Sequence, residues 1–323
     1  MIPFKIDKDH DQTIMQISIE DCLLCDKGLE SMFTYLNQNN KNSITYINLT
    51  KNKLTAKSIR TFSLFLENLE YSKNLETLIL DGNVKIQNQG LQELSNSLLL
   101  RMDAMNSGQG RDLYGLNYQL LIMPLLYLSC SNTGINDAGF IKFIKKLEEL
   151  QCQFDPYIPG LSNKQNEKDY YRGGMGINLS HNYISSVAFM DLSKLISNFK
   201  GLRSINLSHA TGFSSSSQKE KKKDGAMKID KNDQVMMYLA RAISQNQSLT
   251  HLDLSGIHFS SLVTVELMRA IQHNHSLQNF KINIDLTDKA SFPESSKGLK
   301  HYTFNNLTYD RYQLSSQYNF YLS

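Results

Sequence analysis

Two cysteines near the start of the sequence have a spacing that could do chemistry. Cys22 and Cys25 flank two leucines, and many zinc and thiol-redox sites use this Cys-x-x-Cys spacing. A structural zinc site needs a second Cys or His pair, and the sequence offers none beside it. Cys22 also occupies a structural position of the repeat described below. We therefore favour a structural role for Cys22 over a metal or redox site.

His181 and His209 form a second candidate pair. They occupy the fifth position of the near-identical stretches Ile-Asn-Leu-Ser-His-Asn and Ile-Asn-Leu-Ser-His-Ala, so their rings should be neighbours. Two imidazoles could bind a metal ion or respond to pH. Without a third ligand, the favoured interpretation is a polar pair that the repeat places on the surface.

Motifs of known catalytic chemistry are missing from the sequence. There is no glycine-rich phosphate loop, no His-Glu-x-x-His helix, no nucleophile elbow and no evident pair of catalytic carboxylates. The sequence favours a protein that is not an enzyme and that uses no cofactor and no metal.

Composition narrows the class of protein. The 323 residues include 34 basic and 31 acidic side chains, a net charge of +3, which argues against nucleic-acid binding or an anionic membrane surface. The start, MIPFKIDKDHDQ, lacks the pattern of a secretory signal or transit peptide. The longest apolar run, Leu120 to Leu128, contains a proline and is far shorter than the ~20 residues of a membrane span. We expect a soluble protein in a reducing intracellular compartment.

A repeated template organises most of the chain. Leu-x-x-Leu-x-Leu-x-x-Asn/Cys-x-Leu starts at residues 14, 44, 75, 125, 174, 202, 249 and 277, with spacings of 30, 31, 50, 49, 28, 47 and 28. The unit is therefore about 28–30 residues, and three spacings carry about 20 more. Helical patterns follow several strands, over Lys57 to Leu69, Ala138 to Leu150, Val187 to Phe199 and Ser261 to His273.

This pattern resembles the ribonuclease-inhibitor-like class of leucine-rich repeats over residues 14–287. The resemblance implies an α/β fold, a right-handed leucine-rich repeat solenoid or horseshoe with parallel strands on the concave face and helices on the convex face. It leads us to expect a repeat domain over 1–287 with about eight repeats and insertions at 101–120, 151–172 and 213–233. Residues 288–323 form an aromatic-rich tail, either a β-like hairpin cap or a docking segment.

The Asn/Cys slot of the template should satisfy buried backbone groups of neighbouring turns. That slot holds Cys22, Asn52, Asn83, Thr133 and Asn182 in the first five repeats. Ala210 and Ile257 break the ladder, so later turns should be less regular. Six Asn-x-Ser/Thr sequons also occur, but those at Asn48, Asn178 and Asn206 follow from the wording of the repeat strand, so glycosylation is not implied. The other three start at Asn246, Asn274 and Asn306.

A partner could bind the concave sheet, whose predicted side chains are small, polar and nearly neutral. The exceptions are Tyr46, Tyr127 and Arg203, together with the pair His181 and His209. Aromatic and arginine side chains are the types that dominate tight interfaces.

The first two insertions both precede a strand in consecutive repeats, so they should emerge side by side. They would form a binding ledge that contains Tyr114, Tyr118, Phe154, Tyr157, Tyr170 and Tyr171. The third insertion, 213–233, is rich in serine and lysine; we interpret it as disordered, with an electrostatic tether as the alternative.

These observations favour a scaffold or protein-protein interaction subunit with protein partners, no nucleic acid and no membrane insertion. A bias toward Asn, Gln, Lys, Ile and Tyr suggests an AT-rich protist genome, and we expect a cytoplasmic protein of the cytoskeleton, in the ciliary axoneme. The alternatives are a subunit of a mitochondrial complex or a GTPase-activating regulator of a Ran-like small GTPase. Ran-type activators resemble this repeat class but usually carry an acidic segment after the repeats, whereas the tail here is aromatic.

Overall fold

The structure is a computed structural model that describes residues 14–39, 43–68, 72, 74–106, 125–151, 174–212, 231–282, 301–304 and 307–310. The chain divides into two compact units. The first comprises Met1–Ile135 and Glu149–Ile177, and the second comprises Asn136–Glu148 and Asn178–Ser323.

The first unit alternates parallel strands with helices. Its strands lie side by side in chain order: β1 (Ile14–Ser18), β2 (Ser43–Asn48), β3 (Thr77–Ile79), β4 (Tyr127–Ser129) and β5 (Met175–Asn178), whose last residue belongs to the second unit. Three helices with described bounds lie between the first four of these strands: α1 (Asp26–Asn39), α2 (Ala56–Glu67) and α3 (Gln87–Asn106).

The second unit follows the same plan. Its described helices are α4 (Asp137–Gln151), of which the last three residues fall in the first unit, α5 (Ser186–Asn198), α6 (Lys231–Gln245) and α7 (Ser261–His273). Its strands are β6 (Leu202–Asn206), β7 (His251–Leu254), β8 (Asn279–Ile282), β9 (His301–Phe304) and β10 (Leu307–Asp310). Strands β6 to β9 are parallel, and β10 turns back antiparallel to β9, so a hairpin extends this sheet beyond the last repeat.

The repeat template is confirmed by the pattern of burial. Its strand positions are almost completely removed from solvent in every described repeat, for example Ile47, Leu78, Leu128, Leu179 and Leu252. The alternation of parallel strands and helices confirms the predicted α/β leucine-rich-repeat fold. In the first unit the helices add an aromatic cluster, in which Phe33 stacks on Phe65 with ring centroids 4.7 Å apart.

The predicted asparagine ladder is present in the first unit. The buried Asn83 amide donates to the carbonyls of Leu49 (2.9 Å) and Leu80 (2.8 Å), and its oxygen accepts from the backbone of Asn52 (3.1 Å) and Leu54 (3.3 Å). Asn52 makes the corresponding contacts one repeat earlier, to the carbonyls of Ile19 and Leu49 and from the backbone of Cys22 and Leu24. Each amide therefore joins two repeats.

Cys22 departs from the expected ladder. Its thiol is exposed and donates to the carbonyl of Glu20 in its own repeat, and only its backbone N–H reaches the ladder through Asn52. The reason is that the asparagine of each repeat bonds to the repeat before it, whereas a thiol has no second polar atom to span two repeats. Cys130, at a strand position of the template, is buried, and burial raises the pKa of its thiol.

A second polar ladder replaces the first where Ala210 and Ile257 interrupt it. It lies at the corner between helix and strand, where the Asn246 amide donates to the Ile196 carbonyl (2.5 Å) and the Asn274 amide donates to the carbonyls of Ile243 and Asn246 (2.6 Å each). Both asparagines are buried, so two of the sequons are structural elements of the repeat.

In the first unit, Arg101 takes the place of these asparagines and donates to backbone carbonyls at the corner between helix and strand. Its guanidinium Nη2 donates to the carbonyls of Ser72 (2.5 Å) and Leu75 (3.2 Å). These positions correspond to Asn246 and Leu249, because Ser72 and Asn246 each stand three residues before the first leucine of the next repeat. Burial lowers the pKa of Arg101 to about 9. Helix α3 continues past Arg101 to Asn106, into the segment that the sequence assigned to the first insertion.

Helix starts are tied to one another by carboxylates. Asp26, in the first turn of α1, accepts hydrogen bonds from the backbone and hydroxyl of Thr55, which caps α2, and from the Ser58 hydroxyl. In the second unit Asp137 accepts from Ser185, the cap of α5, in the same way. Among the described residues, no helix is both long enough and apolar enough to cross a lipid bilayer.

Candidate functional site

The exposed face of the sheet is the candidate site, because parallel pairing aligns equivalent side chains of successive repeats into rows. In the first unit Tyr46 pairs with Thr77, and Thr77 pairs with Tyr127. All three side chains are half-buried. Strands are about 4.8 Å apart, so the two tyrosines stand about 10 Å apart across the threonine. The sequence named both tyrosines; Thr77 emerges only from the register.

A row of polar side chains beside the tyrosines is held by bonds within the protein. The carboxylate of Glu20 accepts hydrogen bonds from Asn48 (2.7 Å) and Ser18 (2.9 Å). The Asn48 oxygen in turn accepts from the hydroxyl (2.6 Å) and backbone (3.1 Å) of Thr50. These side chains are therefore held in place by hydrogen bonds within the protein.

Asp81 continues this polar network at the next strands. Its carboxylate accepts from the Ser129 hydroxyl (2.6 Å) and the Ser131 backbone N–H (2.8 Å), although these residues belong to a repeat about 50 positions further along the chain. The first unit therefore presents two carboxylates, Glu20 and Asp81, whose orientation is set by neighbouring repeats.

The sheet face of the second unit repeats one local bond. The side-chain oxygens of Asn178, Asn206 and Asp253 each accept from the backbone N–H two residues later, at Ser180 (3.1 Å), Ser208 (2.9 Å) and Ser255 (3.0 Å). Asp253 also contacts Lys281 of the next strand at 3.4 Å. The sequons at Asn178 and Asn206 are thus turn-forming positions at the ends of strands.

His181 and His209 are neighbours, as predicted. Their rings stack with centroids 4.7 Å apart and planes 10° apart, and both side chains are exposed. Each residue has a left-handed backbone, with φ of 57° and 55°. Gly256 holds the equivalent position in the next repeat, where a Cβ atom would lie 2.3 Å from Nδ1 of His209. Glycine there leaves room for the stacked pair.

Arg203 is held in place by the repeat and does not project freely. Its side chain is half-buried, and Nη1 donates to the Ser248 carbonyl (3.3 Å). Its own carbonyl accepts from the backbone (2.8 Å) and hydroxyl (2.9 Å) of Thr250. These bonds give Arg203 a role in joining two repeats.

The predicted ledge lies outside the described residues. This applies to each of its members, Tyr114, Tyr118, Phe154, Tyr157, Tyr170 and Tyr171. Within the described ranges, no three His, Cys, Asp or Glu side chains are arranged to hold a metal ion.

Comparisons with known proteins give distant likenesses in structure. No protein-family model matches the chain, and no curated protein matches it. One similar solved structure is "Leiomodin-1 Actin-Binding Site 2 (ABS2)", with 12% identity and a TM-score of 0.37, covering 65% of this chain and 87% of that chain. Another is "Crystal structure of Rad7 and Elc1 complex in yeast", with 13% identity and a TM-score of 0.42, covering 89% of this chain and 66% of that chain. At these values neither likeness bears on what the chain binds.

Proposed function

We propose that this chain is a non-enzymatic protein-protein interaction subunit, a scaffold of the ribonuclease-inhibitor-like class of leucine-rich repeats, and that its sheet face binds the partner. The observation that carries the proposal is the row of Tyr46, Thr77 and Tyr127 beside polar side chains that already bond to each other. Tyrosine supplies contact area at little entropic cost, and a prearranged surface loses little freedom on binding.

The partner surface should be polar and carry hydrogen-bond donors. Glu20 and Asp81 present acceptor oxygens on this face, and each already has neighbours that fix its direction. A partner that offers amide, hydroxyl or basic side chains around an apolar contact for the tyrosines would match these groups.

The test is a quantitative affinity purification of the tagged chain and of the double variant Tyr46→Ala/Tyr127→Ala. Each tyrosine at the centre of an interface is worth more than about 1 kcal/mol, so the double variant should recover at least about tenfold less partner. Tyr35→Ala is the matched control, because Tyr35 is exposed on helix α1 of the same unit. Equal recovery with the double variant and the control would reject the sheet face as the binding surface.

The compartment that we propose is the cytoskeleton of the cilium, at the axoneme. The compositional bias toward Asn, Gln, Lys, Ile and Tyr supports this choice, because it suggests the AT-rich genome of a protist. Imaging of the tagged protein in a ciliated cell tests it, and a mitochondrial signal would overturn it.

The aromatic ledge remains a second proposed contact surface. Tyr114→Ala and Tyr157→Ala should each weaken partner binding, and their combined effect should be non-additive because both side chains would serve one surface. Full binding by the double variant would reject the ledge.

A further inference from the structure

Four helices of the second unit carry an exposed basic residue at the same position of the repeat. These residues, the basic row, are Lys145 of α4, Lys194 of α5, Arg241 of α6 and Arg269 of α7. Each follows a buried core residue by two positions and precedes another by two. The preceding core residues are Phe143, Leu192, Leu239 and Leu267, and the following ones are Leu147, Ile196, Ile243 and Ile271.

The same position is uncharged in the first unit. Thr34 of α1, Leu64 of α2 and Asn96 of α3 occupy it. Leu64 and Asn96 again stand between buried core residues two positions away, and Thr34 stands between the half-buried Met32 and the buried Leu36. Leu64 is 67% exposed, so the position faces solvent there as well. The charge of the row is therefore a property of the second unit and not of the repeat template.

Contacts between consecutive helices place the four charges in a line. Helix α4 meets α5 through Asp137 and Ser185, and the corner residues Asn246 and Asn274 each reach back to the preceding helix. The surroundings of Glu148 show the same neighbourhood. Its pKa is raised by burial and by Asp191, and lowered less strongly by Lys194 and Lys145. Packed helices lie about 8–10 Å apart, so the row spaces its charges by about 10 Å.

Lys194 and Arg269 each contact a carboxylate, whereas among the described residues Arg241, on helix α6 between them, forms no ion pair. Lys194 contacts Asp191 at 3.3 Å, and Arg269 contacts Glu266 at 2.5 Å, each three residues earlier on the same helix. Such exposed pairs stabilise little and exchange readily with other partners. Tyr238 takes the corresponding position beside Arg241 and is 53% exposed, and the described residues give Arg241 no ion pair. An exposed tyrosine and arginine thus stand at the middle of the row.

We propose that the basic row binds an extended acidic polypeptide segment that crosses helices α4 to α7 with a carboxylate at about every third residue. Three residues of extended chain span about 10 Å, which matches the spacing of the row. Tyr238 would pack on the backbone of the segment between two contacts. This surface lies on the helices, so the proposal does not depend on the sheet face.

A peptide fits better than a flat anionic membrane. Glu148, Asp191 and Glu266 lie beside the row, and a bilayer surface would bring its charge against them as well. A narrow segment that follows the row meets the basic side chains and passes between these carboxylates.

The experiment measures fluorescence anisotropy of a labelled peptide of about five Glu-Ser-Gly repeats with the full chain at low ionic strength. Each of Lys194→Gln and Arg241→Gln should weaken binding roughly threefold, and the double variant about tenfold, because the two sites are far enough apart to act independently. Lys27→Gln and Lys53→Gln remove exposed basic residues from the first unit and should change binding less than about twofold. The serine- and lysine-rich insertion, residues 213–233, is unchanged in every variant, so it contributes the same background to peptide binding in each measurement.

Any one of four results would overturn the proposal. Equal binding of the peptide by the double variant and by the controls would show that the basic row does not take part in binding. Equal binding of a peptide with Gln in place of Glu, or of one with the same glutamates in a single block, would exclude charge or spacing as the cause. Binding to vesicles that contain phosphatidylserine, without binding to the peptide, would show that the partner is a membrane.

Discussion

Replacing Asn83 with alanine should destabilise the first unit more than any exposed substitution. Asn83 is 1% exposed, and its amide makes two short hydrogen bonds to carbonyls of consecutive repeats while its oxygen accepts two from backbone N–H groups. Alanine would leave all four backbone groups buried without these partners. Each such bond contributes about 1 kcal/mol net, so the free energy of unfolding should fall by about 3–5 kcal/mol.

A graded series makes this prediction sharper. Thr133 occupies the equivalent slot one repeat later and donates to the Cys130 carbonyl at 2.8 Å. Asn83→Thr can therefore keep the bond to the Leu80 carbonyl in its own repeat but not the three bonds to the preceding repeat, so it should lose about three quarters as much stability as Asn83→Ala. Asn74→Ala is the control, because Asn74 is exposed in the same unit.

The assay is urea unfolding followed by circular dichroism, with the midpoint compared at constant slope. We expect the urea midpoint to be highest for the wild type and Asn74→Ala, lower for Asn83→Thr and lowest for Asn83→Ala. A loss below about 1 kcal/mol for Asn83→Ala would refute the argument that the amide joins two repeats, since a single bond is worth that much.

Three further outcomes are expected. Leu179→Ala should cost about 2–5 kcal/mol because the site is buried within a strand-helix layer, whereas Leu64→Ala should cost less than about 0.5 kcal/mol; equal melting temperatures would contradict the repeat phase. Asn274→Ala should destabilise the second unit by about 2–4 kcal/mol in urea unfolding, through the carbonyls of Ile243 and Asn246; a loss like that of Asn74→Ala would contradict the corner ladder. Asp26→Asn should be less stable than the wild type at neutral pH, and this difference in stability should shrink in acid. Burial alone would raise the pKa of Asp26, but the hydrogen bonds from Ser58 and Thr55 outweigh burial and lower this pKa. The ionised carboxylate therefore stabilises the fold at pH values above about 4, the ordinary pKa of an aspartate. This stabilisation is lost as the pH falls through the lowered pKa of the folded state. The measurement is the urea midpoint of the wild type and of Asp26→Asn at about pH 7 and pH 3, and the same difference between the two proteins at both pH values would refute this prediction.

Much of the fold follows from the sequence because the template fixes side-chain direction. Leucine-type residues two and three positions apart identify the buried strand positions, and the slot after them identifies the ladder residues Asn52 and Asn83. The contact between His181 and His209 was predictable for the same reason, since identical wording in neighbouring repeats places side chains side by side.

The corner ladder could not be predicted in this way. Asn246 and Asn274 fall outside the template, and their Asn-x-Ser wording matches a glycosylation sequon. Their role depends on which carbonyls the preceding helix leaves without a partner, which only the packed structure shows. Arg101 is harder still, because a charged residue replaces the amide at the corresponding corner.

The hydrogen bonds of the polar network on the sheet face also could not be predicted from the sequence. The bond from Asn48 to Glu20 and that from Ser129 to Asp81 depend on strand register across 28 and 48 residues. The sequence indicated that these positions are polar; the structure shows that they bond to one another.

Site-specific photo-crosslinking in cells tests the central claim most directly. A photoreactive phenylalanine analogue is placed at Tyr46, at Tyr127 or, as the control, at Tyr35 on helix α1. If the sheet face of the first unit binds the partner, the first two positions should yield the same crosslinked protein and Tyr35 should yield none. Crosslinks to that protein from Tyr35, with none from Tyr46 or Tyr127, would contradict the account.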